Sequence, residues 1–301
     1  MIDWCTALGV TFSELKSQRV GGEHANFIDA LPFVWNKFEQ AGYVTLYAED
    51  GLVGGGDTFH TDFHGFEQPP VHHYMRPFWQ AAGDLQQLET TGIHRRGCLG
   101  TLPDYKYVFD YVEQFLRVAN ISRSTCYPSH IPRFAFAFVS GSAENAPSSP
   151  GRFDDDLSSW LEELQRSGVL ERTVVVVVGD HGPSYGPQRH TMLGKTKERL
   201  PLLVVSVPTR FAEEHSEMVK NLAKNSDRLV MALDVHQTLL ALLDATDYTA
   251  QVPASTVTLY ETNMKQIHYI NKLCYIDHGI VGRITPFMLY RDGPFVKSSI
   301  V

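Results

Sequence analysis

The chain has 301 residues, 43% of them hydrophobic and 20% charged, with a formal net charge of −8. That length buries a sizeable core in one large domain or two modest ones, and the composition excludes intrinsic disorder. The acidic balance, with no run of Lys and Arg above scatter, argues against nucleic-acid binding, and no segment reaches the ~18 apolar residues of a membrane span.

The opening, MIDWCTALGV, lacks the basic start and the long apolar run of a signal peptide. The stretch DALPFVWNKFEQAGYVTLYAEDG reads as a helix, a glycine stop and a strand. Leu31, Val34, Phe38 and Ala41 share helical spacing, Gly42 suits the carboxyl cap, and YVTLYAED is rich in β-formers, ending on Glu49 and Asp50. Those two acids read either as a solvated turn or as groups near a substrate. Gly54, Gly55 and Gly56 have no following helix and lysine, so they form no phosphate loop.

From His60 to about residue 130 the pattern is less regular. His60, Asp62, His64, His72 and His73 crowd one region, among prolines and aromatics that favour a structural or substrate-rim role over a metal site. A helix is expected through DYKYVFDYVEQFLRVA, with Tyr105, Val108, Tyr111, Val112 and Phe115 as its core face. Cys5, Cys98, Cys126 and Cys274 form no C-x-x-C pair, which argues against a zinc ribbon and leaves disulfide pairing open. Asn120 heads a glycosylation sequon that matters only in a secretory setting.

RFAFAFVSG reads as a strand. Asp154 to Asp156 offer N-caps for the amphipathic LSSWLEELQRSG, which Gly168 stops. TVVVVV and PLLVVSVP are strands; RFAEEHSEMVKNLAK and LVMALDVHQTLLALLDA are helices. Strands alternate with helices, and the valine run shows no polar alternation, so a mainly parallel sheet covered by helices on both faces is expected. In such sheets the functional crevice lies beyond the carboxyl ends of the strands, which is where Glu49, Asp50, Asp180 and His181 fall.

Asp180 and His181 follow the valine run and are flanked by Gly179 and Gly182. The pair reads three ways: as ligands of a cation, zinc or calcium; as a base, His181, with its acidic neighbour; or as a turn that only closes local hydrogen bonds. Gly182 to Gly186, GPSYG, also matches the nucleophile elbow of serine hydrolases at Ser184. There, however, Asp180 and His181 separate the match from the strand, and Pro183 restricts the turn.

After GDHG the sequence continues through Gly186, His190, Gly194, Lys195, Glu198 and Pro201, in the order seen in the alkaline phosphatase/sulfatase superfamily. The resemblance is to DUF229, a sulfatase-like family of animal proteins. It extends over DALPFVWNKFEQAGYVTLYAED, PPVHHYMRPF, LEELQRSGVLERT and TKERLPLLVV, roughly Pro32 to Asp244. It implies an alkaline phosphatase-like domain over residues 1–250, with 251–301 as a C-terminal extension. It implies that Asp180 and His181 bind a divalent metal, and that His190 and Lys195 contact an anionic ester substrate and its leaving group. Asp234 and His236 fall on a helix that reads as structural. Relatives of this kind suggest a secretory or membrane-anchored setting.

The chain departs from that pattern twice. No Ser, Thr or modified Cys stands in the nucleophile's context; CTALGVTFSELK resembles sequence just downstream of it, and neither Cys5 nor Thr6 matches, so the domain is expected to lack its first elements, as in a fragment. After FAFAFVS, where a Ser-His-Asp segment is expected, the chain has GSAENAPSS, with only Glu144 and Asn145 as substitutes. Three readings follow: a metal-dependent phosphatase- or sulfatase-like hydrolase or transferase, incomplete in this chain; a non-catalytic relative binding an anionic ligand or a protein; and a serine esterase using Ser184.

Overall fold

The computed structural model describes residues 6–9, 27–50, 65–88, 98–117, 131–139, 151–182, 187–226, 228, 230–246 and 284–290. Helix α1 (Val34–Gln40) leads through Gly42, at φ +85°, into strand β1 (Val44–Glu49). Gly42 lies just past the helix end, where a left-handed residue is needed to turn the chain. Strand β2 (His73–Tyr74), helix α2 (Arg76–Leu88), a small ladder of β3 (Cys98–Leu99) and β4 (Leu102–Pro103), and helix α3 (Asp104–Arg117) follow. Strand β5 (Arg133–Phe138), helix α4 (Gly151–Arg166), strand β6 (Thr173–Gly179), helix α5 (Met192–Arg199) and strand β7 (Leu203–Ser206) come next. Helices α6 (Thr209–Glu214), α7 (Ser216–Asn225) and α8 (Ala232–Thr246) precede strand β8 (Ile284–Tyr290).

Six strands form one sheet in the order β2-β1-β5-β8-β6-β7. Strands β2, β1 and β5 pair in parallel, whereas β8 runs antiparallel to both β5 and β6, and β7 antiparallel to β6. The sheet is therefore mixed: a mainly parallel sheet was expected, and the parallel pairing is confined to the β2-β1-β5 side. The difference arises because β8 comes from the far carboxyl-terminal part of the chain and enters between two strands that themselves point the same way.

Alternation within the strands builds two cores. Val44, Leu46 and Ala48, Ala135 and Ala137, and Val175 and Val177 face α2, α3 and α4, around Trp79, Val112 and Trp160. Tyr47, Phe134, Phe136 and Phe138, and Val174, Val176 and Val178 face α1, α6 and α8, around Trp35, Phe38 and Leu239. Every residue of β6 is buried, as an uninterrupted valine run requires when both faces are covered. The chain is thus an α/β protein with helices on both sides of its sheet. On the second face aromatic rings dominate: Phe38 stacks on Phe134 at 4.1 Å and Phe33 on Trp35 at 4.4 Å.

Two element boundaries, and the buried face of one helix, differ from the sequence reading. Helix α4 starts at Gly151, ahead of the expected caps, and Asp156 instead accepts from Tyr105 Oη at 2.7 Å and Lys106 Nζ at 2.8 Å, tying α4 to α3. The expected helix over RFAEEHSEMVKNLAK is two, broken at His215 with φ −123° and ψ 45°. On α3, Phe109 and Leu116 join the buried face, Phe109 stacking on Trp160 at 4.7 Å, while Tyr111 is half-buried. Among the described residues no helix is long and apolar enough to cross a membrane.

Strands β1, β5 and β6 share one direction, so their carboxyl ends share one edge. Glu49 is in register with Phe138, and Phe136, Phe287 and Val176 lie on one level. Asp50 and Asp180 therefore emerge on the same edge, separated by three strand spacings of ~4.8 Å each.

Candidate functional site

Asp180 directly follows the valine strand, and its side chain is 1% exposed; that of His181 is 46% exposed. The strand's burial fixes the first and the bend after it releases the second. Asp180 Oδ1 accepts the backbone N–H of His181 at 2.7 Å. Its other oxygen, Oδ2, lies 3.2 Å from His181 Nε2. The remaining ring nitrogen, Nδ1, lies 2.8 Å from the carbonyl oxygen of Gly182.

Both ring nitrogens face oxygens that only accept, so a neutral imidazole serves one of them: hydrogen on Nε2 donates to Asp180, hydrogen on Nδ1 donates to Gly182. With the hydrogen on Nδ1, Nε2 presents a lone pair to the carboxylate oxygen. Such an apposition needs positive charge: a second ring proton, a proton on the carboxyl, or a cation between the two. An Nδ1–H held by a backbone carbonyl with Nε2 free to ligate is the arrangement metal-binding histidines commonly adopt. The donor set, one carboxylate oxygen and one imidazole nitrogen, fits a divalent cation. Among the described residues no group of three or more His, Cys, Asp and Glu is disposed around a metal position.

Gly182 pins this turn. Its amide donates to the carbonyl of Glu198 at 3.1 Å. A side chain there would place Cβ 2.1 Å from the carbonyl oxygen of Lys197 and 2.6 Å from its carbon. Only glycine allows the end of α5 to approach so closely. The amide of Gly179 donates to Leu202 at 2.8 Å, so both sides of the Asp180–His181 pair are tied to the same returning segment.

That segment is basic. It carries Arg189, His190, Lys195, Lys197 and Arg199, in a chain whose overall charge is negative. His190 closes a short 3₁₀ turn and Lys195 lies in α5; both are exposed. Thr191 caps the helix by accepting from the Gly194 amide at 3.0 Å, and Arg189 is held by Glu198 at 3.4 Å. The fold thus brings the element bearing His190 and Lys195 against Gly182. Among the described residues, neither of those two side chains hydrogen-bonds Asp180 or His181.

The acids after β1 are not a solvated turn. Glu49 is 4% exposed and Asp50 1%. Tyr47 Oη donates to Glu49 Oε2, and Trp79 Nε1 donates to the Glu49 carbonyl at 2.6 Å. Asp104, at the start of α3, is a third buried acid, and its Oδ1 has no hydrogen-bond partner among the described residues. Burial, and then the neighbouring charge of Asp50, push its carboxyl up to about 6. Sequence reasoning passed over Asp104 because an Asp before a helix reads as an ordinary cap; its burial is set by elements remote in sequence.

Two histidines of the crowded region are structural. His72 Nδ1 meets Thr45 Oγ1 at 3.0 Å, and His73 packs edge-on to Phe115 at 5.2 Å. Both lie along the first half of β1, where His73 is in register with Leu46, away from its carboxyl end. Burial lowers the His73 pKa, helped by the nearby His72 and Arg133. His236 is buried in α8, and its Nδ1 donates to the Thr6 carbonyl at 2.8 Å, holding residues 6–9 to that helix. Asp234 accepts the Met231 amide at 2.8 Å and so caps α8. Cys98 is a free thiol. Ser184, Glu144, Asn145, Cys5, His60, Asp62 and His64 lie outside the described residues.

The family model described as "Protein of unknown function (DUF229)" matches residues 6–259. No curated protein and no solved structure matches the chain.

Proposed function

The chain belongs to the DUF229 family, and from that premise we propose that it is a sulfatase- and phosphatase-like protein of the alkaline phosphatase-like fold, handling phosphate or sulfate esters with a divalent cation. Asp180 and His181 would hold the cation, zinc or calcium. The observation that carries this reading is the apposition of Asp180 Oδ2 and His181 Nε2 at 3.2 Å while Nδ1 faces the Gly182 carbonyl. A bound cation supplies Lewis-acid polarisation of ester oxygens. The chain's own contribution would be positioning. The carboxylate is anchored by the strand and the imidazole by the Gly182 carbonyl. Lys195 would neutralise the charge gathered on the transferred group, and His190 would move a proton at the leaving oxygen.

A second reading is favoured by one specific stretch. Between β5 and α4 the sequence SGSAENAPSS contains neither His nor Asp. A chain with two cation ligands and no third from that loop would bind an anionic ligand or a protein without turning it over.

Metal content after equilibration with Zn²⁺ or Ca²⁺, measured together with hydrolysis of p-nitrophenyl phosphate and p-nitrophenyl sulfate, separates the two. Stoichiometric uptake lost in Asp180→Ala, with hydrolysis lost alongside it, supports the enzyme. Uptake without hydrolysis supports the binding protein. Equal metal content in both chains refutes the cation site.

A further inference from the structure

Beside Gly179, on the face of the sheet covered by α8, lies a hollow of about 250 Å³. Its walls include Val178 and Gly179 at the end of β6, Leu203 at the start of β7, and Ala232 and Val235 on α8. They are apolar, and the one charged side chain among the lining residues is Arg199, which is exposed. Among the described residues Arg199 has no ion-pair partner, whereas Arg189 on the same segment is taken up by Glu198. The hollow adjoins the cation pair through the peptide bond from Gly179 to Asp180.

Apolar walls with a few convergent polar groups are the usual make-up of a small-molecule site. The volume suits one aromatic ring, since cavities of about 150 Å³ accept benzene. A polymer chain or a large lipid would leave most of its length outside it. An exposed arginine among the lining residues, Arg199, suits phosphate or sulfate, whose oxygens a guanidinium can engage in pairs. We infer that this hollow receives the carbon skeleton of the ester, an aryl or short alkyl group, with its phosphate or sulfate end lying toward Arg199, Asp180 and His181. The inference names a substrate class for the site proposed above and rests on that reading for the placement of the anionic end.

The test uses the full chain labelled with ¹³C in its methyl groups, titrated with phenyl phosphate, methyl phosphate and inorganic phosphate. Phenyl phosphate is expected to bind roughly ten- to a hundredfold more tightly than methyl phosphate, as burying a ring implies. Cross-relaxation from the ring protons should reach the methyls of Val178, Leu203 and Val235. Ala232→Phe should abolish the preference while leaving inorganic phosphate binding unchanged; Arg199→Gln should weaken all three ligands alike. The cross-relaxation is read on the unsubstituted chain, so it decides the matter even if Ala232→Phe folds poorly. Equal affinity for phenyl and methyl phosphate, no binding of any of the three, or ring contacts elsewhere overturns the inference. If metal uptake does not depend on Asp180 but the phenyl preference persists, the functional reading fails and this one stands. If uptake depends on Asp180 but no preference is found, the reverse holds.

Discussion

The amide of Gly182 donates to the carbonyl of Glu198 at 3.1 Å, and a Cβ on Gly182 would stand 2.1 Å from the Lys197 carbonyl oxygen. The contact is backbone against backbone, so no side-chain rotation relieves it. Gly182→Ala is expected to cost roughly 1–3 kcal/mol, as overpacking does, and to displace the carbonyl that orients His181. Urea unfolding reads the first effect. A changed His181 ring environment in the folded variant reads the second, and an unchanged ring with unchanged stability would show that Gly182 does not hold the turn.

Thr191 Oγ1 accepts from the Gly194 amide at 3.0 Å and caps the helix that carries Lys195. Thr191→Ala should cost about 1 kcal/mol, and Thr191→Ser should recover most of it. Amide exchange across 192–199 is the measurement: faster exchange in the alanine variant alone is expected.

Asp104 titrates in the folded chain at about 6, above its ordinary 3.8. Between those values the folded carboxyl keeps its proton while the unfolded one has lost it, so stability falls as pH rises through the window. Above it the full cost of an ionised buried acid is present, on the order of 3 kcal/mol at most. Asp104→Asn is expected to match the parent chain near pH 4 and exceed it in stability at pH 7. Urea midpoints at the two pH values check this; a variant less stable at both would contradict it.

His236 has the opposite slope. Burial lowers its pKa below 6.5, with the Thr6 carbonyl acting against that shift. The unfolded ring takes up a proton first, so the stability His236 contributes is complete above 6.5 and declines as pH falls. His236→Asn should flatten the decline. Gly9, at φ +68° with the ring against it, should tolerate no side chain: its Cβ would lie 2.5 Å from His236 Nε2. Proteolysis near residues 6–9 should therefore rise in both His236→Asn and Gly9→Ala.

The valine strand was legible because an unbroken apolar run has one structural meaning, burial on both faces, and its end placed Asp180 and His181 on the sheet's carboxyl edge. The strand after Gly42 was equally plain. The burial of Glu49, Asp50 and Asp104 was not, since a carboxylate after a strand looks the same whether solvent or Trp79 lies over it. Strand β8 was hidden for a related reason: ITPFMLY is short and carries a proline, Pro286, which argues against a central strand, yet it pairs with both β5 and β6. The break at His215 also escaped the pattern, because the helical period runs on across it.

Under the proposed function, Asp180 and His181 face one another to share a cation. The most direct test is the ¹⁵N spectrum of the His181 ring at neutral pH, recorded with and without Zn²⁺ or Ca²⁺. A hydrogen on Nδ1 is expected in both spectra and, on adding one of the two ions, a shift of Nε2 that disappears in Asp180→Ala. A ring protonated on both nitrogens, its spectrum indifferent to either ion, would mean that the pair is an ordinary ion pair closing a turn.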